Sequence, residues 1–197
     1  MRFSFRRFRP ALGLGCLFAL LAPAAGHADS PTMSPDRVID VVTDDWNSDS
    51  RLDRAVLVEG EPSETDLFIF VSTGNEGERR LVAANRNLVW RGAFWGTQPS
   101  LEQIAGGDLQ VQAQNEAIGR NRWFEILTIG HRDGEFLVVG YSYDSYDTLD
   151  LDAGRNCSAD FEAGTGLLDG VPFTVTTPAV PLVDWEPAMV PPECAAG

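Results

Sequence analysis

Between residues 45 and 53 the chain places Asp45, Asn47, Asp49, Arg51 and Asp53 at every second position. Four of these offer side-chain oxygens, and Arg51 offers its backbone carbonyl. A tight loop of this kind can wrap six or more oxygens around Ca²⁺, a hard cation that accepts flexible oxygen geometry. Three carboxylates this close together repel one another unless a cation or solvent intervenes, so the spacing asks for an ion. Apolar, β-branched runs flank the loop, and Val56 stands where an EF-hand carries its last Glu. The expectation is a β-loop Ca²⁺ site with a structural role. Ser50 occupies the position where such loops use Gly for a sharp turn, and a left-handed serine costs on the order of 1 kcal/mol. The reading without a metal is a solvated, Asx-rich turn, and Asp44 is read as a solvated neighbour.

Other chemistry is thinner. Tyr141, Tyr143 and Tyr146 lie close together. Tyr141 and Tyr143 share one face of a strand, and with Tyr146 they offer an aromatic platform for a glycan or protein. Aromatic packing on a half-covered sheet is the plainer reading. Trp90, Phe94, Trp95 and Trp123 are expected in the core. His131 is the only His beyond the first 28 residues, and no G-x-S-x-G elbow accompanies it, so it reads as an exposed loop residue. Gly164-Thr165-Gly166 lacks the strand-to-helix setting of a phosphate loop. With 29 acidic residues some carboxylates must pair by chance. A glycan hydrolase therefore stays an alternative, to be decided by whether two carboxylates meet in a cleft.

Strands are the elements that must position these groups. Val38–Val42, Arg54–Val58, Asp66–Val71, Leu81–Ala83, Leu88–Trp90 and Leu109–Gln112 read as strands. The clearest hairpin runs from Trp123 to Tyr143, its two apolar arms flanking Arg132-Asp133-Gly134, where Asp-Gly supplies the positive φ of a tight reversal. Two more strands are expected near Asn156–Phe161 and Val171–Thr176. Pro99–Ile104 suggests one short helical turn, stopped by Gly106-Gly107. No window carries a long amphipathic helix. The rhythm is that of a single antiparallel β domain: a sandwich, a meander or a small barrel.

Residues 1–28 read as a signal peptide: Arg2, Arg6, Arg7 and Arg9, an apolar run from Ala11 to Pro23, then Gly26-His27-Ala28. Cys16 and Arg6-Arg7 only partly fit a lipoprotein box and a twin-arginine signal, so ordinary secretion, to the periplasm, is the expectation. The β domain is then 29–176, and 177–197 is a Pro-rich extended tail without a ladder of its own. Cys157 and Cys194 are the two Cys that remain, and an even pair in an oxidising compartment predicts a disulfide pinning that tail. All 15 basic residues are Arg, against 29 acids, for a net charge of -14. Without the leader, 29 acids face 11 Arg, a net charge of -18. Such a surface repels phosphate backbones and anionic lipid, which argues against nucleic acid and membrane-surface partners. No further apolar run is long enough to span a membrane.

Asp45 to Asp53 followed by Arg54-Ala55-Val56-Leu57-Val58 resembles the DxNxDGxxD-plus-strand unit of FG-GAP/VCBS-type repeats. Asp66–Val71, Gly134–Tyr141 and Asp160–Gly164, in that order, resemble a set of small secreted bacterial proteins carrying one such loop. The resemblance covers roughly residues 38–170 and implies no established activity. Asp160 and Ala163 depart from the pattern. A propeller needs several four-stranded blades, and the loop occurs once, so a complete propeller is not expected. Together these readings predict a secreted, non-catalytic binding module with a structural Ca²⁺ loop, its partner an envelope protein or glycan. A purely structural envelope role is a further alternative.

Overall fold

A computed structural model describes residues 33–75 and 77–195. The expected signal peptide lies outside these residues. The described chain is all-β, with two antiparallel sheets and neither closed into a barrel. The first sheet has the order β1 (Val38–Val42), β2 (Arg54–Glu59), β3 (Thr65–Ser72) and β4 (Arg79–Asn85). The second contains β5 (Ser100–Gln103), β6 (Leu109–Asn115), β7 (Asn121–Arg132), β8 (Glu135–Asp147), β9 (Arg155–Asp160), β10 (Thr165–Leu168) and β11 (Val171–Thr174) as successive neighbours. The short β12 (Val180–Pro181) pairs with β8 beside Leu137 and Val138.

Strand alternation explains the layers. On β2, Ala55 and Leu57 face the main core, while Val56 and Val58 face a smaller cluster with Phe68 and Phe70 on the other side of the sheet. β3 is buried on both faces from Thr65 to Val71, which is why its sequence is a continuous apolar run rather than an alternating one. The main core also takes Leu109, Val111, Leu127, Ile129 and Val138 from the second sheet, so the two sheets share one interior. Their edges meet at β1 and β5, where the Leu101 N–H donates to Asp40 Oδ2 at 2.8 Å.

The β7–β8 hairpin turns at Asp133 and Gly134, with φ of 50° and 89°, as the Asp-Gly pair requires. Three expectations are corrected. Pro99–Ile104 holds no helical turn: Ser100–Gln103 is strand β5, because pairing with β6 and the bond to Asp40 satisfy its backbone. Leu88–Trp90 is not a strand and contributes only one bridge, Glu64 to Trp90. The tail is not free of a ladder, since β12 adds to β8.

The tail is held down firmly. Cys157 on β9 and Cys194 form a disulfide. Leu182 is fully buried, Trp185 packs on Phe161 at 5.6 Å, and the Asn85 amide donates to the carbonyls of Leu182 and Trp185 at 2.6 and 2.8 Å. Arg155 donates to the carbonyls of Glu193 and Ala195.

Candidate functional site

The acidic loop joins β1 to β2. Trp46 fixes it by turning into the core, where its ring meets Phe136 edge-on at 6.2 Å. The side chains then organise the backbone. Asp45 accepts from the N–H groups of Asp49 (2.9 Å) and Ser50 (2.7 Å). Asn47 Oδ1 accepts from Asp49 N–H at 3.1 Å, and Asp49 Oδ1 from Arg51 N–H at 2.9 Å. These Asx turns curl the loop around its own oxygens. Ser48 and Ser50 adopt φ of 58° and 65°, the left-handed region that favours glycine. Asp44 is tied rather than solvated: its carbonyl accepts from Asp53 N–H at 2.7 Å, and its carboxylate accepts from Gln103.

Asp53 is the unusual member. It has no solvent exposure, and its Oδ1 accepts from Ser72 N–H at 2.9 Å, while its buried Oδ2 has no partner in hydrogen-bond geometry, the Trp46 and Asn47 N–H groups lying near the carboxylate without closing such a bond. Burial raises its pKa, and the neighbouring charge of Asp49 adds to that. The N–H groups of Ser72, Trp46 and Asn47 work in the opposite direction. A buried carboxylate oxygen without a partner is costly, and a cation is the group that would compensate it. The donor set fits Ca²⁺ chemically: oxygens only, three of them carboxylates, with lone pairs left beside those that accept N–H bonds. Among the described residues no group of three or more His, Cys, Asp and Glu side chains is gathered tightly enough to hold a metal. Arg51 is exposed, its guanidinium 3.9 Å from Asp49.

The three tyrosines do not come together as one platform. Tyr141 is buried in the core and Tyr143 is half-buried on the same face, stacked on Trp123 at 6.2 Å. Tyr146, an odd number of residues further along β8, lies on the opposite face, and its hydroxyl donates to Glu116 at 2.8 Å. The expected aromatic core also divides. Trp90 and Trp123 pack together at 5.3 Å, but Phe94 is 62% and Trp95 95% exposed, so those two are corrected to surface residues. His131 lies on β7 rather than in a loop, its ring 4.8 Å from Phe136.

Two features escaped the reading of the sequence. The first is an apolar tip. Glu116 N–H donates to the Gly96 carbonyl at 2.9 Å, and Thr148 N–H donates to the Arg120 carbonyl at 2.9 Å. The segments bearing Phe94, Trp95, Ile118 and Leu149 are thereby gathered at one end of the second sheet, with all four side chains exposed. The turn under Trp95 is rigid: the Thr97 hydroxyl bonds to both the N–H and the carbonyl of Phe94, and Gly92 N–H donates to the Thr97 carbonyl. The second is a cavity of about 200 Å³ where Glu64 and Glu125 both reach the wall, beside Trp90 and Trp185. Strand parity carried the signal for Glu125, which shares the core side of β7 with Trp123, Leu127 and Ile129.

The fold and loop define a two-sheet antiparallel β domain with an acidic loop at its first strand connection. No protein-family model, curated protein or solved structure matches the chain. The likeness to FG-GAP/VCBS units therefore rests on the residues quoted for it.

Proposed function

We propose that the chain is a secreted, periplasmic, non-catalytic binding module of the FG-GAP/VCBS kind, stiffened by one Ca²⁺ in the Asp45–Asp53 loop. The observation that carries the binding role is the apolar tip. A tryptophan left 95% exposed on a hydrogen-bonded turn, next to an exposed Phe94 and at the same end of the sheet as Ile118 and Leu149, forgoes burial that a partner would supply. The unpartnered Asp53 oxygen supports the ion. Ca²⁺ would be held by Asp45, Asn47, Asp49 and Asp53 with the Arg51 carbonyl, and it would neutralise the loop. The disulfide supports an oxidising compartment. Among the described residues no helix is long and apolar enough to cross a membrane.

The test is retention of envelope proteins and glycans from periplasmic extract on immobilised wild type and on Trp95→Ser/Leu149→Ser. Both side chains are exposed, so the variant keeps its melting temperature. Loss of the retained partner is expected. The same partners on both proteins would overturn the reading.

A second reading, a glycan hydrolase, gains one observation: Glu64 and Glu125 line one cavity. Space counts against it. A cavity of about 200 Å³ falls below the roughly 300–1,000 Å³ of small-molecule sites, and the two rings flanking a glycosidic bond need more.

A further inference from the structure

On the core side of β7 the side chains run Trp123, Glu125, Leu127, Ile129, so one carboxylate interrupts an apolar row. Its cross-strand neighbours are Ala113 on β6 and Tyr143 on β8, neither of which can neutralise it. An apolar side chain at this place would pack better and fold more readily, and such departures from pattern concentrate where function requires them. Glu64, immediately before β3, lines the same cavity and bridges to Trp90.

The two carboxylates stand without cations. Neither forms an ion pair among the described residues, although Arg37, Arg91 and Arg132 elsewhere reach carboxylates or carbonyls. The Tyr141 hydroxyl lies toward Glu125 and favours its charged form, opposing the effect of burial. Burial raises the pKa of both groups, and the charge of Glu64 raises Glu125 further. Around them the wall is aromatic and aliphatic: Trp90, Leu127, Trp185 and Val190. Trp185 and Val190 belong to the tail, which the Asn85 hydrogen bonds and the Cys157–Cys194 bond together hold against the sheet.

We infer that the Glu64–Glu125 cavity binds an organic cation, an ammonium or guanidinium head carried on a short apolar stem. Charge complementarity and size together select this chemistry. A cation between the carboxylates removes their mutual repulsion, and the adjoining Trp90 and Trp185 supply aromatic surface of the kind that attracts cations. A volume of about 200 Å³ suits a side-chain-sized group rather than an oligosaccharide. The net charge of -14 draws such cations in from solution. The site is separate from the apolar tip and extends the binding-module reading by naming a second, small ligand.

The test titrates the full disulfide-bonded protein with n-butylammonium and n-butylguanidinium, following tryptophan fluorescence and binding heat. n-Pentanol and butanoate serve as neutral and anionic controls of similar size. Saturable binding of the cations alone is expected. In Glu64→Gln/Glu125→Gln it should weaken about tenfold or more, the loss of a half-buried charge contact. That variant removes repulsion without changing shape, so it should melt no lower than wild type. A terminally blocked lysine as a further probe separates a free amine from a polypeptide side chain as the source, both being organic cations. Equal binding of n-pentanol, preference for butanoate, no binding, or cation binding unchanged in the double variant would each overturn the inference. Trp95→Ser/Leu149→Ser should bind the cations like wild type, so failure at the tip and failure at this cavity are told apart.

Discussion

Breaking the Cys157–Cys194 cross-link should destabilise the domain by an amount its loop length sets. The two residues are 37 apart, and both are fully buried. For a loop of that length the chain-entropy relation gives about 4 kcal/mol at 25 °C. At roughly 2–4 °C per kcal/mol for a chain of this size, the melting temperature should fall by about 8–15 °C. Cys157→Ala/Cys194→Ala also removes two packed sulfurs, so wild type in reductant is the companion sample, in which the cross-link alone is lost. Asn85, Leu182 and Trp185 should keep the first part of the tail docked, while the segment from residue 187 onwards becomes sensitive to protease. Circular-dichroism melts and limited proteolysis read both effects. A fall of less than about 2 °C in both samples would refute the reasoning, since it would mean that tail packing alone carries the constraint.

Three further predictions concern single side chains. Asp53→Asn removes a buried charge and should raise stability in chelator by about 1–2 kcal/mol while abolishing any gain from Ca²⁺, as denaturant melts under both conditions would show. Ser50→Gly relieves a φ of 65° and should stabilise by about 1 kcal/mol, less the entropy that glycine adds to the unfolded chain; equilibrium unfolding measures it. Burial and Glu64 raise the pKa of Glu125 above its ordinary value, so the folded state holds its proton more tightly than the unfolded state does. Its contribution is therefore greatest below the ordinary value of 4.5 and is lost as pH rises through the raised one. Glu125→Gln should accordingly match wild type near pH 4 and exceed its melting temperature at neutral pH.

Much of the architecture was legible because strand period and turn chemistry are local. The β7–β8 hairpin followed from two apolar arms and Asp133-Gly134. The disulfide followed from an even Cys count. What failed was decided at a distance. Ser100–Gln103 carries no strong strand signal and becomes β5 because β6 and Asp40 supply its partners. Hydrophobicity alone directs Phe94 and Trp95 inward, yet the bonds of Thr97 set a turn that leaves them exposed. The spacing of Tyr141, Tyr143 and Tyr146 already held their separation, since odd and even positions of one strand face opposite ways. The acidic loop was visible as spacing, whereas the bare oxygen of Asp53 needed the packing of β2 against β3 to appear.

A Ca²⁺ held in the Asp45–Asp53 loop, as proposed, makes the stability of the domain depend on the ion. The direct measurement is the melting temperature of the wild type in chelator, then with Ca²⁺ restored in about hundredfold excess over its dissociation constant. Binding at that level adds about 2.7 kcal/mol, or roughly 5–10 °C. That rise is expected in the wild type and none in Asp49→Ala. Identical melts with and without chelator would contradict it and leave the loop a hydrogen-bonded turn.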